Sequence, residues 1–447
     1  MSITQQLAAE VAGADFEGLP SGAVSIVKRA LMDDIGVALL AHRFLDRPLI
    51  GFATQVGGLP EATLVGSGAR VSAGLAAGVN AEMASHSDFE ESGPGVHAFS
   101  PIGQTAVAMA ERGGGSGRDV ITAIAVSYEL NGRFARNLAD TRPLIHLFPA
   151  HFRRHLIVNP ALVAARMLGL DAAATNLVIG LSWTMVPADM NHIYLTPRLG
   201  WTNSQHNLWS CQIGVQSALL VAAGSGGPAD ILDHGASDIY DLGSLRASPS
   251  PYYYLTSELN FKPWIGSYGF MGGMQLAERL VSEHSIDPGS IDTVVFRGSA
   301  VYNDPDSVFI DPEPDTAWEA LGCVPWAIAN VILGHPAGPG WLDPESLADP
   351  VRRHLARRVR LETSESPYVN EVAISARGRT YTGRIRREDY LGSPRNPMSG
   401  EQLEAKFLRN ASAVVGGSQA RDMLALLRSL EELDDIRQLT RLFSLRS

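Results

Sequence analysis

The N-terminal half of the sequence has the hydrophobic spacing of successive α-helices, rich in Ala, Leu and Val, from about Leu19 to about Gly224. One helix is predicted to begin at Ser21, because the apolar residues after it recur with a 3.6-residue period: Ile26, Ala30, Leu31, Ile35, Ala38 and Leu39. Further helices are predicted at about 71–86, 101–112, 118–137, 159–169, 171–183 and 206–224. The spacing therefore predicts a large all-helical region.

The pattern changes after Asn260, where β-branched residues and alternation enter the sequence. Residues 291–296 have the composition of a strand, and residues 369–386 alternate on both sides of a turn at Gly378, as a β-hairpin does. Helices are predicted beside these strands at about 268–284 and 316–334. A basic cluster is interpreted as a solvated helix face: Arg352, Arg353, Arg357, Arg358 and Arg360. Together these elements predict an α+β unit.

The C-terminal segment is predicted to return to helix. Ser399 with Gln402 three residues later is a capping-box pattern, and the chain is predicted to stay helical to about Phe443. A chain of 447 residues exceeds the size at which one hydrophobic core usually stops growing, so two domains are expected. The predicted fold class is mainly α with α+β: a large all-helical domain plus a smaller α+β domain.

The composition excludes several classes of protein. The net charge of −11 and the pI of about 5.6 disfavour nucleic acid as a partner, because that binding needs a concentrated basic surface. No signal peptide is recognisable before Leu19, and no apolar run reaches the length of a membrane span, so we expect a cytoplasmic protein without a membrane partner. Cys211 and Cys323 are expected to be small core residues rather than nucleophiles.

Acidic and imidazole side chains are concentrated between Asn80 and His97, around a Gly-Pro-Gly turn. They are Glu82, His86, Asp88, Glu90, Glu91 and His97. Asp88 and His97 are nine residues apart and cannot share a helix face, so the turn must fold the chain back to bring them together. A carboxylate facing an imidazole can remove a proton at one position and supply one at another. The alternative is that Asp88 caps a helix or turn and that His97 is a satisfied interior histidine.

The same segment could also hold a metal ion, since His86, Asp88 and His97 are plausible ligands. Their spacing matches neither a zinc site nor a two-His-one-carboxylate site. We therefore predict that this segment binds no metal.

Two segments, residues 80–97 and 391–407, resemble the MmgE/PrpD family. In the first, Asn80, Asp88, Phe89 and His97 match the family pattern, while Glu90 and Glu91 replace its second and third acids and Ser85 stands at its first His. In the second, the matching residues are Gly392, Pro394, Asn396, Pro397, Ser399, Lys406 and Phe407. The resemblance implies a helical domain over residues 1–262 that is completed by residues 399–447, an α+β domain over residues 263–398, and a homodimer.

The resemblance also implies further site residues. A family histidine falls on His151. Independently of the resemblance, the guanidinium groups of Arg153, Arg154 and Arg198 are candidates to bind an anionic group of the substrate; the alternative for Arg153 and Arg154 is a surface ion-pair network. The family's active-site lysine position falls on Asn203, and Tyr268 stands where one branch of the family has a histidine. His206, Asn203 and Tyr268 are therefore predicted to bind the substrate as hydrogen-bond donors. With no lysine near Asn203, the cations left to the site are expected to be arginines and imidazoles, which disfavours tricarboxylate substrates such as cis-aconitate.

These observations predict a cofactor-independent lyase or isomerase, of the dehydratase, decarboxylase or epimerase type. Its predicted catalytic residues are Asp88, which would remove a proton next to a carboxylate or carbonyl of a small organic acid, and His97 and His151 as acids or orienting groups. The alternative is that the changed acids and the missing lysine mark a family member retained for binding or assembly.

Overall fold

The computed structural model describes residues 1–44, 47–94, 97–137, 152–185, 206–235, 240–303 and 309–444. The α-helices of the first half are α1 (Ile3–Gly13), α2 (Ser21–Phe44), α3 (Arg47–Val56), α4 (Ala73–His86), α5 (Phe99–Gly113), α6 (Gly117–Arg136), α7 (Phe152–Met167), α8 (Ala172–Thr184), α9 (His206–Ala222), α10 (Ile231–Gly235) and α11 (Tyr253–Glu258). A short hairpin, β1 (Ala62–Thr63) and β2 (Arg70–Val71), interrupts them. The predicted helices are confirmed, and α7 begins earlier than predicted.

Helix α4 lies at the centre of this helical half, and each of its fourteen residues is buried. It packs against α2, α5 and α9, which surround it. Because the helix is rich in Ala and Gly, its neighbours can approach closely. A Cβ at Gly78 would stand 2.5 Å from the carbonyl oxygen of Leu208 in α9. The helix ends at His86, so the loop that carries Asp88 begins inside the core.

The second half contains α12 (Met271–Glu283), α13 (Ala317–Gly322), α14 (Val324–Ile332), α15 (Pro339–Leu342), α16 (Pro344–Leu347) and α17 (Pro350–Ala356). Its sheet contains β3 (Ile291–Gly298), β4 (Val359–Thr363), β5 (Val369–Ala376) and β6 (Arg379–Arg386), in the order β4-β3-β5-β6. β3 pairs parallel with β4 and antiparallel with β5, and β5 and β6 form the predicted hairpin. Helix α12 packs on the sheet.

The interpretation of the basic cluster as one solvated helix face is wrong. Helix α17 ends at Ala356, and Arg360 lies in strand β4, which the sequence pattern did not predict. Arg352 is only 8% exposed, and its guanidinium donates hydrogen bonds to Asn330 Oδ1 (2.8 Å) and to the carbonyl of Gly340 (2.6 Å). The spacing failed because a helix of seven residues is too short for periodicity to distinguish it from the strand that follows.

The C-terminal residues return to the helical half as predicted. Helix α18 (Gly400–Val415) begins with the capping box formed by Ser399 and Gln402, and it packs along α2. It is followed by α19 (Gly417–Arg428) and α20 (Arg437–Thr440). The ring of Phe407 lies against Gly36 of α2, where a Cβ would be 2.9 Å from the Phe407 ring.

The mainly α fold with a small mixed sheet agrees with the predicted class. One cluster of buried apolar side chains runs from α2 through α12 to the sheet, so the two halves share a continuous core. The exact domain boundaries stay a prediction. Within the part of the chain that the structure describes, no helix has the length and apolarity to cross a membrane.

Candidate active site

The loop after α4 holds two residues in a backbone conformation that is uncommon for residues other than glycine. Asp88 has φ of 46° and His97 has φ of 56°. Both values lie in the left-handed region, where side chains other than Asn, Asp and Gly rarely occur. Such local strain persists only where surrounding contacts enforce it, and it is concentrated at functional sites. Asp88 and His97, two of the three residues predicted to be catalytic, therefore share this conformation, which Asp230, Tyr252, Ser285 and Arg377 also adopt elsewhere in the described chain.

Asp88 pairs with a lysine rather than capping a helix. Its Oδ1 lies 2.5 Å from Nζ of Lys262, and the same ammonium is 3.8 Å from Oε2 of Glu90. Lys262 is 2% exposed and Asp88 is 4% exposed, so the ion pair is removed from water. The Asp88 side chain therefore forms an ion pair and is not a helix cap.

Backbone hydrogen bonds join the Asp88 loop to the segment that carries Lys262. The N–H of Gly266 donates to the carbonyl of Asp88 at 3.0 Å. Ser92 and Asn260 exchange two backbone hydrogen bonds of 2.7 Å each, as neighbouring antiparallel strands do. Residues separated by more than 160 positions in the chain are thus held at fixed distance, and the ion pair follows from that backbone pairing.

His97 folds back onto the same cluster. Its Nδ1 is hydrogen-bonded to Oε1 of Glu90, and both side chains are buried. One ligand-type atom from each of Asp88, Glu90 and His97 lies within 4.8 Å of the other two. The Asp88 carboxylate and the His97 imidazole are thus close together, and their catalytic roles stay a prediction.

Burial and charge shift the pKa values of this cluster in different directions. Burial raises the pKa of Asp88 despite the Lys262 ammonium beside it. Burial alone would lower the pKa of Lys262, but the Asp88 and Glu90 carboxylates reverse that effect and raise it. Burial also acts to raise the pKa of Glu90, yet Lys262 and His97 hold it below its usual range. The cluster therefore contains a protonated Lys262, an ionised Glu90 and an Asp88 that is more basic than an exposed aspartate.

A second buried ion pair lies beneath the first. Nζ of Lys406, from α18, is 2.7 Å from Oδ1 of Asp33 in α2, and it donates to the carbonyls of Phe89 (2.6 Å) and Lys262 (3.0 Å). The same ammonium lies 3.9 Å from the centre of the Phe89 ring, a cation–π distance. The Lys406 side chain thus contacts both chain segments that carry the Asp88–Lys262 pair.

Two further acids in the cluster retain protons more readily than usual. Asp34 accepts hydrogen bonds of 2.5 Å from Ser100 and from Gln104, and burial raises its pKa to about 7. Burial, followed by the charges of Glu90 and Asp34, raises the pKa of Glu91 well above its ordinary value. Protonation of these acids lowers the negative charge that the two ammoniums must balance.

The residues that could hold a metal ion already contact a cation. Asp88, Glu90 and His97 have suitable ligand atoms and separations. The Lys262 ammonium, however, lies against the Asp88 carboxylate and near that of Glu90, where a divalent ion would have to displace it. The donor set fits an ammonium held by two carboxylates better than it fits a metal.

The other predicted site residues are only partly described. His151, Arg198 and Asn203 lie outside the described residues. Arg153 and Arg154 lie in the first turn of α7 and His206 begins α9, but their side chains are outside the described part of the structure.

Tyr268 is described and is buried. Its hydroxyl donates to Oδ1 of Asn260 at 2.9 Å, and its ring packs against Tyr390 and under the Arg387 guanidinium. These contacts connect Tyr268 to the Asp88 cluster through Asn260, the residue that pairs with Ser92.

Sequence reasoning matched Lys406 to the second segment without giving it a role at the site, and it did not single out Lys262. The expectation that arginines and imidazoles supply the cations of this cluster is wrong. The chain contains three lysines, and two of them are buried in this cluster. That scarcity was the available signal, because a lysine in a chain that otherwise uses arginine is a candidate for a specific role. Spacing could not reveal it, since Lys262 is 174 residues from Asp88.

Most of the chain matches the models of one protein family. Residues 5–243 match the MmgE/PrpD N-terminal domain, and residues 268–432 match the MmgE/PrpD C-terminal domain. The chain is 23% identical to cis-aconitate decarboxylase of Mus musculus, in an alignment that covers 99% of this chain and 93% of that protein. It is 24% identical to cis-aconitate decarboxylase of Homo sapiens, with 99% and 94% covered.

Proposed function

The chain belongs to the MmgE/PrpD family, and we propose that it is a lyase or isomerase that works without a metal or organic cofactor. Family membership and similarity to decarboxylases support a lyase of the dehydratase or decarboxylase type. The observation that carries the finer proposal is the meeting of Asp88, Lys262 and His97 in one buried cluster.

The proposed reaction begins at a carbon next to a carboxylate or carbonyl of a small organic acid. Asp88 takes the proton, and the electron pair of the broken C–H bond moves onto the neighbouring oxygen. Because burial raises the pKa of Asp88, this carboxylate is a stronger base than an exposed aspartate. The nearby Lys262 ammonium would stabilise the enolate-like intermediate, as a fixed charge does in a dry site.

The second half of the reaction needs a proton donor, and His97 is proposed for it. In a dehydration, the returning electron pair expels a β-hydroxyl group, which leaves as water with a proton from the imidazole. In an epimerisation, a proton is returned to the opposite face of the carbon. In a decarboxylation the C–C bond breaks in place of the C–H bond, so Asp88 removes no proton; carbon dioxide leaves, and the electron pair takes up one proton at carbon from His97. All three use positioned acids and bases, which typically contribute about 10²–10⁴-fold to rate.

The substrate-binding roles remain proposals that rest on the family resemblance. His151 is proposed as a second acid or orienting group, and Arg153, Arg154 and Arg198 as partners for an anionic group of the substrate. Asn203, His206 and Tyr268 are proposed as hydrogen-bond donors to it; Tyr268 would have to turn its hydroxyl hydrogen from Asn260 Oδ1 to the substrate. The expected substrate is a small organic acid or carbonyl compound.

We also propose that the protein is a homodimer. Trp209 and Leu220, both on α9, are 52% and 47% exposed and lie eleven residues apart, which is three helical turns. Large apolar side chains exposed on one helix face are typical of a surface that another protein covers. Light scattering on the purified protein measures the mass directly, and a monomeric mass at micromolar concentration would contradict the proposal.

Exchange of carbon-bound hydrogen tests the proposed function. The protein is incubated in deuterated water with a panel of hydroxy- and unsaturated acids, and deuterium at carbon is followed by NMR or mass spectrometry. We expect exchange with at least one acid, and none with the Asp88→Asn variant. An acid that binds without exchange or conversion would instead favour the alternative of a binding or assembly protein.

A further inference from the structure

We propose that Glu90 is a positioning residue that keeps the proton of His97 on Nδ1, so that Nε2 is the ring nitrogen that exchanges protons with the substrate. The proposal rests on the proposed function, because it assigns His97 as the proton donor. It adds a residue that neither the sequence patterns nor the family resemblance gave a role.

The geometry places Glu90 between two donors. Its side chain is inaccessible to solvent; Oε1 is bound to Nδ1 of His97, and Oε2 lies 3.8 Å from the Lys262 ammonium. An ionised carboxylate can only accept hydrogen bonds. The ring nitrogen that faces it must therefore carry the hydrogen, which fixes the tautomer of a neutral imidazole.

The charges around Glu90 favour its ionised form. Lys262 approaches it from the segment after α11, and Lys406 lies beyond it on α18. Asp33 and Asp34 on α2, and Asp88 and Glu91 on its own loop, act in the opposite direction. Burial also opposes ionisation, but Lys262 and His97 outweigh it and lower the pKa of Glu90.

The length of the side chain is part of the argument. An aspartate at this position would be shorter than Glu90 by one methylene. His97 is held in the left-handed conformation, so its ring cannot move freely toward a shorter acid. We therefore expect Glu90→Asp to leave a gap between the carboxylate and Nδ1, and Glu90→Gln to keep the length but lose the obligatory acceptor.

The proton inventory is simple. The hydrogen on Nδ1 stays between His97 and Glu90 throughout. A second proton, on Nε2, is given to the leaving hydroxyl or to carbon, and it is regained after product release from the acid that Asp88 has become or from water. Glu90 itself gains and loses no proton.

The tautomer can be read without any substrate. Protein labelled with ¹⁵N-histidine is examined by NMR, and the His97 signals are assigned with the His97→Asn variant, since Asn tolerates the left-handed conformation. In the unmodified protein, at a pH where the His97 imidazole is neutral, we expect hydrogen on Nδ1 and a lone pair on Nε2. In Glu90→Gln we expect a mixture of tautomers. Glu82→Gln is the matched control, because it alters the other buried Glu–His pair, with His86 at 2.9 Å, and should leave the His97 signals unchanged.

Kinetics supply the second measurement. With any acid that is turned over, Glu90→Gln should lower kcat by about 10²-fold or more while KM changes little, because the loss is in proton transfer. Glu90→Asp should restore part of kcat. A neutral His97 imidazole with its hydrogen on Nε2 and a lone pair on Nδ1 in the unmodified protein, or a Glu90→Gln variant with normal tautomer and normal kcat, would overturn the proposal. If no acid reacts, the proposed function fails, and the tautomer measurement still decides whether Glu90 sets the proton on His97.

Discussion

Among single residues, Asp88 is the one whose conformation and chemistry both point to function. It adopts the left-handed conformation, pairs with a buried lysine and has a raised pKa. Asn adopts the same backbone conformation with little strain, so the amide can replace the carboxylate without moving the loop.

We predict that Asp88→Asn abolishes turnover with little loss of stability. The amide keeps the shape and one hydrogen-bond acceptor, but it cannot take a proton, and Lys262 retains Glu90 as a counter-charge. Activity is measured with the acid identified by deuterium exchange, and stability by urea unfolding. Asp171→Asn, at the exposed N-cap of α8, is the control and should change neither. Near-normal activity in Asp88→Asn, or its failure to fold, would show that Asp88 is not the base.

Asp34 predicts a pH dependence of stability. Its pKa is raised to about 7 in the folded protein, from 3.8 in the unfolded chain, so the folded state holds the proton between these values and the unfolded state does not. The stability from this group is complete below about pH 4 and is lost as the pH rises through about 7, with a total of about 4 kcal/mol.

The Asp34→Asn variant cannot titrate at this position. We predict that its free energy of unfolding, measured by urea at a series of pH values, falls less between pH 4 and pH 8 than that of the unmodified protein. Rotation of the Gln104 amide would let its Oε1 accept from the new amide. Parallel pH profiles for the two proteins would contradict the assignment of a raised pKa to Asp34.

At the scale of elements, the C-terminal return is hydrogen-bonded to the segments that carry the Asp88–Lys262 pair. Gly392 has φ of 92°, and its carbonyl accepts from the N–H of Phe261 at 2.9 Å. A Cβ there would stand 1.8 Å from the carbonyl oxygen of Phe261, so only glycine fits. Lys406 then binds the carbonyls of Phe89 and Lys262. Residues of the second motif therefore contact the first motif directly, through Lys406 and the carbonyl of Phe89, and indirectly, through the backbone of residues 261–262.

We predict that Lys406→Met destabilises the protein by about 3–5 kcal/mol, because it leaves Asp33 and two carbonyls buried without their donor. Lys28→Met is the matched control. Lys28 pairs with Glu431 at 2.7 Å near the surface, where such a pair contributes about 1 kcal/mol or less. Thermal and urea unfolding measure both variants. Equal losses of stability would contradict the view that α18 is anchored to the site through Lys406.

At the scale of the whole molecule, the balance of charge in the site limits the substrate. In the described part of the cluster, the Lys262 ammonium is already faced by Asp88 and Glu90, and that of Lys406 by Asp33. A tricarboxylate would bring three more negative charges, and each unpaired buried carboxylate has a large desolvation cost.

We therefore predict that the purified protein releases no carbon dioxide from cis-aconitate above background. By the family resemblance, Asn203 falls on a lysine position and Tyr268 on a histidine position, so Asn203 adds no charge and Asn203→Lys alone should not create the activity. Release of carbon dioxide is measured directly, with an active decarboxylase of the family as positive control. Robust release by the unmodified protein would show that another cation serves, and it would assign the decarboxylase function.

Metal dependence is the last prediction at this scale. Because Lys262 supplies the cation for Asp88 and Glu90, activity should survive dialysis against a strong chelator. The assay compares chelated protein with protein resupplied with single divalent ions. A loss that one ion restores would contradict a cofactor-independent reaction.

The sequence alone determined the secondary structure of most helices and the β5–β6 hairpin, because hydrophobic period and turn residues are local properties. The capping box at Ser399 and the helix it begins were likewise predicted. Strand β4 was not, since a short strand after a short helix has no distinctive period. The motif at residues 80–97 indicated Asp88 and His97, and the resemblance it carried gave the family.

Only the tertiary structure decided what surrounds those two residues. Lys262 supplies the ammonium that pairs with Asp88, and Lys406 donates a hydrogen bond to the backbone carbonyl of Lys262. Neither contact can be predicted from the spacing of these residues along the chain. Glu90 was one acid among several in the sequence, and folding made it the partner of His97. The reason is physical: buried charges must be paired, and the pairing is chosen by which backbone segments pack together, which depends on contacts hundreds of residues apart.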